Sequence, residues 1–110
     1  MDIRHYVFSK DVSYQDLGNG VKRRVLAWHD NLMIVEHEFD QGAVGTPHRH
    51  PHEQITYVLE GEFDFTIAGE TKRVAAGDSM YKEPDVLHGA VCVKKGKLLD
   101  IFTPCRKDFL

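Results

Sequence analysis

The chain has 110 residues, 42% hydrophobic and 28% charged, which suits one domain around one core. Its formal net charge of −3, with no run of basic residues, gives no support to a nucleic-acid or membrane-surface partner. No apolar segment approaches membrane-spanning length, and the start MDIRHYVFSKDVSYQD lacks the apolar stretch of a signal peptide.

Residues 1–20 are expected to form an N-terminal arm, with SYQDLG (13–18) as a short helical turn or part of that arm. Short β-rich runs then recur. VKRRVLAW (21–28) and LMIVEHEF (32–39) flank the turn HDN, and DQGAVGTPH reads as a glycine-containing loop. QITYVLE and FDFTIA are joined around Gly61, and AGET turns the chain into KRVAA. After Gly77-Asp78, SMYKE ends at Pro84, and VLHGAVCV and KLLDIF flank KKGK. Many short strands at this spacing predict a single all-β domain, a sandwich or barrel, over residues 1–110. Cys92 and Cys105 are the only cysteines. Two thiols without an export signal read as reduced, which predicts a cytoplasmic protein. A chain this small is expected to form a homodimer that covers an exposed sheet.

GTPHRHPHEQITYVLEG (45–61) concentrates the chemistry. His48, His50 and His52 stand at alternate positions, and Gln54 continues the rhythm. Alternate side chains of a strand share a face, so His48 and His50 are expected to point together as adjacent metal ligands. Pro51 is expected to swing His52 aside. Gln54, Thr56 and Val58 should face one way and Ile55, Tyr57 and Leu59 the other, as in a strand covered on both sides. His88 in PDVLHGAV is the best further ligand. Three imidazoles and one oxygen suit a borderline divalent metal such as Ni, Zn, Mn or Fe better than Ca or Mg. His5, His29 and His37 are assigned structural roles.

The stretch from Gly42 to Gly61 resembles the first cupin motif, with Gln54 at the position usually held by glutamate. Gly77 and His88 have the separation of the second motif. Pro84 stands one place late, Asp85 replaces the usual glycine and Cys92 the usual asparagine, all away from the ligand position. YQDLGNGVKRRVL, H-x-H-P-H-E-Q, GDSMY and LLDIFTPCRKDFL extend a likeness to the KdgF-type pectin-degradation cupins over nearly the whole chain. The resemblance implies a small double-sheet β-barrel of jelly-roll type. It implies a metal held by His48, His50, Gln54 and His88. It also implies conversion of 4,5-unsaturated uronate monosaccharides to the linear 5-keto sugar.

That chemistry assigns tasks to further residues. Arg106 is a candidate for gripping the substrate carboxylate, its alternative being a surface ion pair with Asp108. Asp100 shares a strand face with Leu98 and Phe102 and is a candidate for proton transfer, with burial raising its pKa. Its alternative is a loop tether. Phe102 is expected either to stack on the sugar or to fill the core. His52 and Glu53 are expected near the entrance, Glu53 orienting a histidine. The neutral Gln54 leaves the site the full charge of its ion, which favours Lewis-acid over redox chemistry. The competing readings are a cupin dioxygenase using iron and a noncatalytic sugar-binding module.

Overall fold

A computed structural model describes residues 3–110; Met1 and Asp2 of the expected arm lie outside the described residues. The chain forms eight strands: β1 (Gln15–Gly18), β2 (Val21–His29), β3 (Leu32–Phe39), β4 (Val44–His48), β5 (Glu53–Ile67), β6 (Glu70–Ala75), β7 (Ser79–Lys82) and β8 (His88–Thr103). Short 3-10 turns cover Ser9–Asp11 and Lys107–Phe109. Every pairing is antiparallel, in the order β1-β2-β3-β8-β5-β6, with β4 added to β8 and β7 added to β5.

The long strands β5 and β8 organise the molecule. Their first and last parts serve different neighbours. Residues 54–57 of β5 pair with β7, and 62–67 pair with β6. On β8, 88–91 pair with β4 and 96–102 with β3. Between these parts the β5–β8 register shifts repeatedly, from Val58 to Phe63, and both strands bend. Gly61 and Gly96 sit at the bend. Gly61 has φ +83°, and a Cβ there would lie 2.5 Å from the carbonyl oxygens of Lys94 and Lys95. A Cβ on Gly96 would collide with the Glu60 carbonyl. The two backbones therefore touch where only glycine fits. This close approach, rather than a turn, is the reason for glycine in KKGK, so β8 is continuous where two strands were expected. QITYVLE and FDFTIA likewise belong to one strand.

Three other segments depart from expectation. SYQDLG supplies β1 rather than a helical turn, and Asn19 and Gly20 with positive φ turn it into β2. VGTPH is a strand, not loop; Pro47 is tolerated because β4 is an edge that pairs only with β8. Ile55, Tyr57 and Leu59 are 45%, 40% and 37% exposed, so this chain alone covers β5 on one face only.

The inner face carries two apolar clusters. Phe39, Val58, Phe63, Phe65, Cys92 and Leu98 fill the space between the halves, with Phe39 and Phe63 edge to face at 5.4 Å. Met33, Val35, Phe102 and Cys105 form the second. Cys92 and Cys105 are unpaired and buried. The outer face of β2–β3 is closed by charge. Glu36 accepts from Arg24 Nη2, at 3.2 and 3.1 Å to its two oxygens, and from the Tyr14 hydroxyl. Arg24 Nη1 also donates to the carbonyls of Ser9 and Val12, fixing the N-terminal segment to the sheet.

Candidate metal centre

His48 ends β4 and His88 begins β8, and the two are direct cross-strand partners with ring centroids 4.5 Å apart. His50 joins them from the loop beyond β4, not from alternation on one strand. That loop is held by the amide of Asp85, which donates to the His50 carbonyl at 2.7 Å. One nitrogen from each of the three rings lies within 4.8 Å of the others. His52 stands outside this trio, as Pro51 led one to expect, and borders a separate cavity with Cys105 and Asp108. Glu53 orients no histidine: it accepts from the Tyr81 hydroxyl at 2.5 Å on the exposed side.

The rings are prepared as ligands. His48 Nδ1 lies 2.9 Å from the Thr46 carbonyl and His88 Nδ1 lies 3.0 Å from the Val86 carbonyl. A carbonyl only accepts, so each Nδ1 carries the proton and each Nε2 keeps its lone pair. His88 Nε2 is buried without a partner. Burial, reinforced by the charge on Lys82, pushes His88 down to about 4, leaving it neutral at physiological pH as ligation requires. Burial also lowers His50.

Gln54 completes the group. Its amide nitrogen donates to Asp100 Oδ1 at 2.7 Å, and only the NH2 end can donate to a carboxylate. The carbonyl end is thereby aimed at the histidines, with Oε1 3.0 Å from His50 Nε2. Three imidazole nitrogens and one amide oxygen, with a ring nitrogen of His50 and one of His88 buried without partners, fit a divalent transition metal. The neutral oxygen donor leaves the ion its full charge.

Asp100 is 5% exposed and saturated with donors. Thr56 Oγ1 donates to Oδ1 at 2.5 Å, and His37 Nδ1 lies 2.7 Å from Oδ2. Lys82 Nζ donates to Thr56 Oγ1 at 2.7 Å. Burial pushes the Asp100 pKa up, but the hydrogen bond and charge of His37, the Lys82 charge and Thr56 outweigh it. The carboxyl is held well below its ordinary value. The expected upward shift is thus reversed, because Asp100 is ringed by donors. Lys82 is 1% exposed, and burial lowers it to about 8 against the pull of Asp100.

His37, His48, Gln54, Lys82, His88 and Asp100 line one cavity of about 400 Å³, together with Phe102 and Arg106. Phe102 is 2% exposed and packs with Met33 and Val35, so it fills the core while bordering the cavity. Arg106 does make its ion pair with Asp108, through Nε at 3.0 Å and Nη2 at 2.8 Å, while also bordering the cavity. His37, expected to be merely structural, and Lys82, not singled out at all, are the residues missed. Strand parity held the signal. His37 alternates with Met33, Val35 and Phe39, and Lys82 with Met80, so each polar group stands on an inward face.

The antiparallel β architecture bent at two glycines, with a histidine cluster at the β4–β8 junction, defines a cupin. The cupin domain model matches residues 35–102, and the chain belongs to that family. The chain is 40% identical over 110 residues to the pectin degradation protein KdgF of Dickeya dadantii (strain 3937), covering 98% of this chain and 100% of that one. The structure of KdgF from Halomonas sp. superposes with a TM-score of 0.93 at 37% identity, covering 97% and 99% of the two chains. An RmlC-like cupin from Shewanella frigidimarina gives 0.94 at 44% identity, covering 97% and 96%.

Proposed function

We propose that this cupin converts 4,5-unsaturated uronate monosaccharides to linear 5-keto-4-deoxyuronates in the breakdown of pectin or alginate. The observation that carries the proposal is the orientation of Gln54. Asp100 turns its carbonyl into the histidine cluster, so one hydrogen-bonded network joins the ligand set to the cavity. Likeness to KdgF over the full chain supports the substrate class.

The reaction is an isomerisation. The C1 hydroxyl loses a proton, the bond from C1 to the ring oxygen breaks, and an aldehyde and a C5 enolate result. A proton added at C4 then gives the ketone. The proton lost equals the proton gained, so one group can take and return it. His48, His50, Gln54 and His88 would hold the metal, which when bound supplies Lewis-acid polarisation of a substrate oxygen. His37 is the proton carrier in this reading. Asp100 fixes its Nδ1, leaving Nε2 as the ring's exchanging site. Asp100 stays ionised and orients both His37 and Gln54, a change from the proton-transfer role expected for it. Lys82 balances its charge through Thr56. Arg106 lends its positive charge to the substrate carboxylate at the rim, and Phe102 packs against the sugar.

The unpaired thiols of Cys92 and Cys105 support a cytoplasmic setting. The exposed apolar row of Ile55, Tyr57, Leu59 and Tyr81 supports a homodimer. Light scattering at micromolar concentration tests that state; a monomer would contradict it.

The reaction is tested by following the alkene absorbance of an unsaturated uronate in anaerobic buffer with metal-loaded protein. Accelerated decay to the 5-keto product without oxygen is the expected result. Turnover that requires oxygen would assign a dioxygenase, and binding without conversion a noncatalytic module.

A further inference from the structure

Arg23 is the cavity's uncommitted cation. It lies on β2 as the cross-strand partner of His37, on the inner face of the sheet, and borders the cavity. Its neighbour Arg24 points to the other face and is matched by Glu36. Among the described residues, no carboxylate lies within ion-pair distance of Arg23. Its Nε is buried without a hydrogen-bond partner. An uncompensated guanidinium in that position is costly unless something brings an anion to it.

The surroundings say which anion. The Arg23 guanidinium lies over the Phe109 ring, 3.7 Å from its centroid, and the Arg106 guanidinium lies over the same ring at 4.2 Å. Phe109 thus fixes two like charges side by side at the rim. Arg106 has already engaged its fork with Asp108 through two nitrogens. The unengaged fork belongs to Arg23, and a planar fork matches the two oxygens of a carboxylate. Burial, and then the charge of Arg106, lower the pKa of Arg23 and outweigh the opposing pull of Asp108, which is already held by Arg106.

We propose that Arg23 is the substrate-binding residue that takes the sugar carboxylate, with Arg106 beside it, and that this contact selects uronates over neutral sugars. The identity of the ligand rests on the ring-opening reading. The C5 carboxylate is adjacent to the reacting carbons. Anchoring it beside His37 therefore brings C4 and C5 to the group that carries the proton.

The test requires no turnover. Metal-loaded wild type, Arg23→Lys and Arg23→Met are titrated with galacturonate and with galactose, its neutral counterpart, by calorimetry. Wild type should prefer the acid. Arg23→Met should weaken galacturonate binding by about tenfold or more and leave galactose unchanged. Arg23→Lys should fall between, because it keeps the charge and loses the fork. Unchanged galacturonate affinity in Arg23→Met, equal losses for both sugars, or a wild type without preference for the acid would each overturn the proposal. Equal losses would mean that Arg23 only packs on Phe109. If Arg23→Met does not fold, Arg23→Lys carries the test: undiminished discrimination overturns the assignment. Arg23-dependent uronate binding without conversion of the unsaturated sugar would sink the reaction and leave this site standing.

Discussion

Glu36 and His37 are neighbours on β3 and face opposite sides of the sheet. Each anchors a buried polar cluster, and the two clusters differ in what they leave over. On the outer face, Glu36, Arg24 and Tyr14 match one negative charge with one positive charge, and only Arg24 Nε lacks a partner. That cluster ties residues 9–14 to the sheet and lies outside the cavity lined by His37 and Asp100. On the inner face, His37, Asp100, Thr56, Gln54 and Lys82 adjoin a cavity and leave His88 Nε2 and His50 Nδ1 buried without partners. A cluster that closes on itself holds a fold together. A cluster that keeps donors aimed at an open space is arranged for a ligand.

The sharpest way to break this contrast is on the inner side. Asp100→Asn should cut turnover by about 10²–10⁴-fold while the three histidines retain metal, because both His37 and Gln54 lose the anion that orients them. Turnover with parallel metal analysis checks this. His37→Gln should cost about 10²-fold in kcat with little change in melting temperature, and a wild-type rate would return His37 to a structural role.

The outer cluster should respond in the opposite sense. Glu36→Gln should lower stability by on the order of 2 kcal/mol in urea unfolding and leave kcat within about twofold, since it is screened from the cavity by the sheet. A large kcat loss would show that the two faces are coupled.

The two sides should also separate along the pH axis. Burial raises the pKa of Glu36, but the Tyr14 and Arg24 hydrogen bonds and the Arg24 charge outweigh it, so the folded value lies below the ordinary 4.5. Its stabilisation is therefore fully present above about 4.5 and lost as pH falls through the depressed folded value. Lys82 has its folded pKa lowered from 10.5 to about 8, so the unfolded chain holds more protons between those values. Stability contributed by this group consequently rises with pH across that window, by at most about 1.4 kcal/mol per pH unit. Melting curves should show a shallower acid limb in Glu36→Gln and a lost rise from pH 8 to 10 in Lys82→Met.

The readability of the two clusters differed for a physical reason. His48, His50, Gln54 and His88 stand at motif spacing, so their convergence was legible before any strand was placed. Asp100 was legible by parity, as a charge among apolar residues of one strand. Its ionisation was not, because its donors come from β3 and β5 and the Lys82 charge from β7, far apart in the chain. His37, Lys82 and Arg23 are single polar residues on separate strands. Only the order β2-β3-β8-β5 with β7 beside it brings them together. The strand calculus failed at Gly61 and Gly96 for a related reason. Glycine beside charged residues looks like a turn, and the backbone contact that demands it is made across two strands.

The central claim, that the inner cluster is a ring-opening centre, is tested most directly by real-time NMR of freshly released unsaturated uronate mixed with metal-loaded protein. The account requires the linear 5-keto sugar to form faster than in buffer, and the acceleration to vanish in Asp100→Asn. Product appearing at the spontaneous rate with wild type would contradict it.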